Sequence, residues 1–142
     1  MILVTKVQNG YMRSDFPPYR PEMQANVFRR RCPSNAVLDM IADKWSAPII
    51  SRLKNGKLRH GELLGSIEGL SQRMLTQTLR DLESNGLVTR TVYPVVPLHV
   101  DYELTDLGRS LYDKALKPLT HWAMEHMGDV AQARAEFERR AG

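Results

Sequence analysis

The chain has 142 residues, a net charge of +4 at neutral pH and a sequence pI near 9.4, with 42% hydrophobic and 25% charged residues. A single cysteine excludes an internal disulfide framework, no apolar run is long enough to span a membrane, and the opening Met-Ile-Leu-Val-Thr-Lys-Val is too short and too soon interrupted for a secretory leader. The expectation is a cytoplasmic protein of one domain with flanking segments, whose core of about 100 residues can fold without staples.

Residues 1–31 hold six basic groups (Lys6, Arg13, Arg20, Arg29, Arg30, Arg31) against two acids (Asp15, Glu22). Ile2, Val4 and Val7 suit a short extended arm. Pro17, Pro18 and Pro21 remove amide donors and bias their predecessors to extended geometry, so no regular helix is expected there. Tyr11, Phe16 and Tyr19 suggest an arm that packs on a second subunit. Cys32-Pro33-Ser34 should then open the first core helix, with Ser34 as its cap and Val37, Leu38 and Ile41 as its apolar stripe. The next helix should be capped by Ser46, with Pro48 in its first turn and Trp45 and Ile50 arranged as a hydrophobic staple. Trp45 thus reads as core rather than ligand site. Asn55-Gly56 ends that helix, and Leu58 suits a short strand.

Residues 58–86 organise the chain. A short helix over 60–67 leads to a tight turn at Gly69, then to a longer helix capped by Ser71 and stopped at Gly86. At roughly 100° per residue, Met74, Leu75, Thr78, Leu79 and Leu82 share one side of the longer helix. Gln72, Arg73, Thr76, Gln77 and Arg80 share the other. That polar face lies on the first three turns, the end a recognition helix pushes into a major groove. Arg can bond guanine bidentately, Gln can bond adenine, and Thr can touch a thymine methyl. An ordinary surface helix with a solvated polar face would give the same wheel. Residues 52–90 hold seven basic groups against four acids, which favours the nucleic-acid reading.

After Gly86 the period changes from 3.6 to 2. Residues 87–93 and 99–104 are β-branched and aromatic runs around a loop, Pro94-Val95-Val96-Pro97-Leu98, whose prolines cannot join a ladder. A β-hairpin directly after a recognition-like helix is the order of a winged helix. Thr105 should cap the following helix, with Leu107, Leu111, Ala115 and Leu119 along one side and a kink or break at Pro118. Leu119, Trp122, Ala123, His126 and Met127 continue an apolar face, read as dimer surface; the alternative is that this helix folds back over its own core. Gly128 should end it, before a last polar helix over 130–141 with Glu136 against Arg139 and Arg140.

These residues carry a family resemblance. Cys32-Pro33, Asp43-Lys44-Trp45, Gly61-Glu62-Leu63, the run from Gly69-Leu70-Ser71-Gln72-Arg73 to Asp81-Leu82-Glu83, Gly86-Leu87-Val88-Thr89-Arg90, Tyr93-Pro94-Val95-Val96-Pro97, and Tyr102-Glu103-Leu104-Thr105-Asp106-Leu107-Gly108-Arg109-Ser110-Leu111 resemble the HxlR-type winged helix-turn-helix transcriptional regulators. The resemblance covers roughly 32–127. It implies a bacterial, dimeric DNA-binding regulator whose helix from Ser71 enters the major groove. It also implies that helices near the N-terminus and after the wing form the dimer. Two departures stand at the wing: Val95 where the family often has an acid, and Leu98-His99 where it often has a second proline and an Arg or Lys. An imidazole is mostly uncharged at pH 7, so Arg90 is the alternative phosphate contact.

The expected fold is mainly α with a small β-hairpin: a winged helix-turn-helix with additional N- and C-terminal dimerisation helices. The parts are an arm over 1–31, the winged domain over 32–127 and a polar helix over 128–142. The expected DNA-binding residues are Ser71, Gln72, Arg73, Thr76, Gln77, Arg80, Arg90 and His99. Leu111, Ala115, Leu119, Trp122 and Met127 are the expected dimer surface. Cys32 follows three arginines at a helix start, which favours thiolate; members resembling this chain use such a cysteine to sense oxidants, and the other reading is an inert thiol. The four histidines and Cys32 show no metal-ligand spacing, and there is no phosphate loop or nucleophile elbow, so neither a cofactor nor an enzyme is expected. The partners are double-stranded DNA, a second copy of the chain and an oxidant or small-molecule effector. A winged-helix interaction module without DNA binding is the alternative.

Overall fold

A computed structural model describes residues 18–142. The expected extended arm at Ile2, Val4 and Val7, and the aromatic rings of Tyr11 and Phe16, lie outside the described residues. From residue 18 to Cys32 the chain runs in turns. Asn35 Nδ2 donates to the carbonyls of Val27 (3.1 Å) and Arg29 (2.5 Å), tying this segment to the first helix.

The helices are α1 (Pro33–Ile41), α2 (Ser46–Leu53), α3 (His60–Ser66), α4 (Gln72–Ser84), α5 (Asp106–Leu111) and α6 (Lys117–Ala141), with a π-helical turn at Tyr112–Leu116 between the last two. The strands are β1 (Leu58–Arg59), β2 (Val88–Tyr93) and β3 (His99–Leu104), antiparallel in the order β1-β3-β2. Val88 pairs with Leu104 at one end of the hairpin and Tyr93 with His99 at the other, next to the proline-bounded loop. This is the expected winged helix-turn-helix.

The core sits where α2, α3, α4 and the sheet meet. Ile49, Ile50, Leu53, Leu63, Leu75, Leu79 and Leu82 are each at most 1% exposed. Val88, Tyr102 and Leu104 close it from the sheet, and Trp45 packs against it as expected of a core residue. Gly108 is buried where α5 crosses the chain after α4; a Cβ there would run into the Leu87 carbonyl oxygen, so no side chain fits.

Several local expectations are corrected. Ser34 is not the cap of α1: Cys32 holds that position, and Ser34 lies inside the helix with its hydroxyl donating to Cys32 Sγ at 3.1 Å. Nor is Ser46 the cap of α2. It is the first helical residue, and the Asp43 carboxylate accepts from the Trp45 amide (3.4 Å) and the Ser46 hydroxyl (3.3 Å). A carboxylate a turn upstream competes well for those donors. On α1 the core contacts are Met40 and, partly buried as expected, Ile41; Val37 and Leu38 face outward, 51% and 49% exposed.

The largest correction concerns the C-terminal third. Pro118 does not break the helix and Gly128 does not end it: α6 runs unbroken over 25 residues, and 130–141 belong to it. Pro118 has no N–H for the carbonyl four residues back, and its ring would press on that carbonyl. The preceding turn opens instead, with the Lys117 amide bonding the Tyr112 carbonyl, and Pro118 falls in the first turn of α6, where its missing donor costs little. A mid-helix glycine costs only about 1 kcal/mol against alanine, so Gly128 does not overcome the helix formers on either side. The fold-back alternative is also overturned, because no residue of α6 is buried. Among the described residues no helix is long and apolar enough to cross a membrane.

Candidate nucleic-acid interface

Two glycines and a serine set α4 in place. Gly69 (φ +80°) makes the turn from α3 and Gly86 (φ +74°) the exit toward the wing, both in the left-handed region that costs glycine nothing. Ser71 Oγ accepts from the Met74 amide at 3.1 Å, capping the helix as expected. Packing then sorts the helix. Leu75, Thr78, Leu79 and Leu82 are buried and Met74 is partly so. Ser71, Gln72, Arg73, Thr76 and Arg80 are exposed, while Gln77 is half-buried at the edge of the strip. Among the described residues neither Arg73 nor Arg80 is ion-paired, so both guanidinium groups are open to an anionic partner.

Sequence reasoning missed two features of this helix. His60 Nε2 lies 3.1 Å from Thr76 Oγ1, so the start of α3 supports the middle of α4. Asp81 is a charged residue on the buried side, 5% exposed, beside the leucines and Thr78 that the wheel placed there. Neither contact has a sequence signal, since the first joins residues sixteen apart across a turn.

The wing contributes unequally. Arg90 is exposed on β2, opposite Tyr102 of β3. His99 is engaged at the base of the wing loop. Its Nδ1 is 2.7 Å from Arg59 Nη2, its Nε2 is 2.5 Å from Asp101 Oδ1, and its ring meets Tyr93 edge-on at 4.8 Å. A guanidinium can only donate, so Nδ1 accepts and Nε2 carries its proton toward the carboxylate. Lys57 Nζ stands 3.9 Å from the same Asp101. Both ring nitrogens of His99 are therefore taken, and the exposed cation beside it is Arg59, absent from the sequence-derived set because β1 lies forty residues from His99. The wing tip itself is apolar, with Val95, Val96 and Leu98 exposed.

Away from α4, Leu119, Trp122 and Met127 are 60%, 55% and 73% exposed along α6; Ala115 is exposed and Leu111 half-buried. Trp122 stacks on His126 with ring centroids 4.7 Å apart. Cys32 is buried at the start of α1. The Ser34 hydroxyl and, more weakly, the Asn26 amide donate to its sulfur, at 3.1 and 3.4 Å. These two bonds, with the Ser34 backbone amide and a smaller contribution from the Arg29 charge, outweigh burial and hold the thiol below the usual cysteine range.

Comparison with known proteins agrees with this geometry. The HxlR-like helix-turn-helix family matches residues 40–131. The uncharacterised HTH-type transcriptional regulator YtfH of Escherichia coli (strain K12) is 37% identical over 113 residues, which is 80% of this chain and 89% of that protein. The solved structure of ytfH from Salmonella typhimurium superposes with a TM-score of 0.73 at 37% identity, covering 79% of this chain and 99% of that one. The redox regulator HypR in its reduced form superposes with a TM-score of 0.65 at 36% identity, covering 71% and 98%.

Proposed function

The chain belongs to the HxlR-like helix-turn-helix family of DNA-binding transcriptional regulators, and from that premise we propose that it acts as a homodimer on a near-palindromic operator, one α4 per half-site. The observation that carries this reading is the open strip on α4: Gln72, Arg73, Thr76 and Arg80 side by side on a capped, firmly packed helix with no acid among them. Arg73 and Gln72 are assigned to base edges, Ser71 and Arg80 to phosphate, and Thr76 to a thymine methyl or backbone contact. Gln77, being half-buried, reaches only the edge of the site. On the wing, Arg90 is the phosphate contact, and Arg59 takes the role expected of His99, whose nitrogens are held by Arg59 and Asp101.

The dimer seam is assigned to the apolar face of α6 (Leu119, Trp122, Met127) with Ala115 and Leu111 at its start, because a line of large apolar side chains left open on a long helix suits a second copy. Two-fold symmetry then places half-sites about a helical turn or two apart. The lowered thiol of Cys32 and the likeness to the redox regulator HypR support oxidation as the input that changes DNA binding. The protein works on DNA in the cytoplasm and catalyses no reaction.

Fluorescence anisotropy with the DNA upstream of its own gene, against random duplex over a salt series, tests this. Selective binding should weaken steeply with salt. Arg73→Ala should lose about 1–3 kcal/mol and relax the preference at one base position. Unchanged affinity and selectivity in that variant would remove Arg73 from the interface. No selective binding to any member of a random-sequence library would make the winged helix an interaction module.

A further inference from the structure

The described residues form a further concave site, outside the α4 strip. It is a cleft of about 380 Å³ between the end of α2 and the run from α5 into α6, walled by Lys54, Arg109, Tyr112, Asp113, Lys117 and His121. Leu104, at the end of the hairpin away from the wing loop, is among its lining residues. None of Arg73, Arg80 and Arg90 lines the cleft.

Three features make the cleft more than a dent. First, its charge is one-sided. Two lysines, an arginine and an imidazole face a single acid, and among the described residues none of Lys54, Arg109 and Lys117 is in an ion pair. A concave surface lined by one sign of charge focuses its potential on whatever enters. Second, two of the cations are held in place. Arg109 Nη1 donates to the Lys54 carbonyl at 3.3 Å, and Lys54 Nζ rests 5.6 Å above the Tyr112 ring. Third, Tyr112 and Asp113 belong to the π-helical turn, a local widening of a kind frequent at functional sites.

We propose that this cleft binds a small organic oxyanion bearing two or more carboxylate or phosphoryl groups. The Arg109 fork takes one anionic group, since guanidinium geometry matches paired oxygens. Lys54 from the end of α2 and Lys117 from the start of α6, both lining the cleft, hold the second. His121 offers a further ring nitrogen, and Asp113 accepts from a hydroxyl on the ligand. The volume suits a molecule of that size. A ligand held by Lys54 and Lys117 together joins the end of α2 to the start of α6.

The proposal stands apart from DNA recognition, and its test uses no DNA. Isothermal titration calorimetry of the full chain at low ionic strength should be run with citrate, inorganic pyrophosphate and, as a single-charge control, acetate. One ligand per chain should bind with a Kd at or below about 1 mM for citrate, pyrophosphate or both, and acetate far more weakly. Citrate alone would identify carboxylates as the recognised groups, and pyrophosphate alone phosphoryl groups. Lys117→Gln with His121→Gln, both at exposed positions, should weaken binding at least about tenfold, as should Arg109→Gln, with thermal unfolding checked for each. Arg73→Gln with Arg80→Gln should leave it unchanged. No saturable heat with either polyanion, equal affinity in the cleft variants, or loss in the α4 variant would each overturn the assignment.

Discussion

Between Met40 and Leu116 most large aliphatic side chains of α2, α3, α4 and the sheet are removed from water, whereas in α6 no side chain is buried at all. Both regions carry comparable apolar material. Ile49, Leu53, Leu63, Leu75 and Leu79 find one another within the chain, each such burial being worth about 1.5–3 kcal/mol. Leu119, Trp122, Met124, Met127 and Phe137 stay more than half exposed. Isolated helices gain little stability from propensity alone, and most of it in proteins comes from a packed face. The contrast separates a unit that folds by its own contacts from a helix whose apolar face waits for another surface.

The sharpest way to break that contrast is in the core of the recognition helix. Leu79→Ala should cost roughly 2–5 kcal/mol in urea unfolding, because a fully buried leucine leaves both lost contacts and a cavity. A cost under about 1 kcal/mol would mean that α4 is not packed as described. The counterpart on α6 is Trp122→Ala. It should leave the fold of the winged unit intact while raising the dimer dissociation constant at least about tenfold in sedimentation equilibrium. Equal destabilisation of fold and assembly would show that α6 is part of the core after all.

Smaller effects follow at single hydrogen bonds. Ser71→Ala removes the acceptor for the Met74 amide and should cost about 1 kcal/mol, against a few tenths for Ser71→Gly. Ser34→Ala should have the least effect on stability and a clear effect on chemistry. Without its hydroxyl the Cys32 thiol should ionise nearer the ordinary cysteine range, read as a rightward shift in the pH dependence of alkylation. The sign for stability follows from linkage. A folded-state value held below the unfolded one gives a contribution that is full above the unfolded value and is lost as pH falls through the folded value.

Legibility of the sequence divides along the same line. Where one face is buried, pattern reading worked. The α4 wheel separated Leu75, Thr78, Leu79 and Leu82 from Gln72, Arg73, Thr76 and Arg80, and the period change after Gly86 found both wing strands. Caps were harder, because Ser34 and Ser46 compete with other donors and acceptors that only the folded chain brings near. The helix after the wing defeated counting at 3.6 residues per turn. That count joins Leu107, Leu111, Ala115 and Leu119, but the residues turned fully inward are Gly108 and Leu116, with Leu111 and Tyr112 half-buried between them. The offset is already present at Leu107 and Gly108, upstream of the π turn: the inward position at 108 is a glycine pressed against the Leu87 carbonyl, which carries no apolar signal in the sequence. At the wing, the contacts from His99 to Arg59 and Asp101 depend on sheet register between distant strands, which no local pattern encodes.

The clasp at Thr105 has a mechanical consequence. Its hydroxyl donates to the Gly86 carbonyl at 2.6 Å and accepts from the Gly108 amide at 3.1 Å, while its own amide bonds the Leu87 carbonyl. The rear of α4 and the root of the C-terminal helices are thus pinned at one pivot. With about 1.5 Å of rise per residue, the thirteen residues of α4 form a lever arm of roughly 20 Å from that pivot to Gln72. A tilt of about 5° there would swing the tip by roughly 1.7 Å, enough to carry a donor at 2.9 Å from a base edge out of bonding range. Modest leverage at that pivot is therefore sufficient to displace the end of α4 that the proposed function assigns to base contacts.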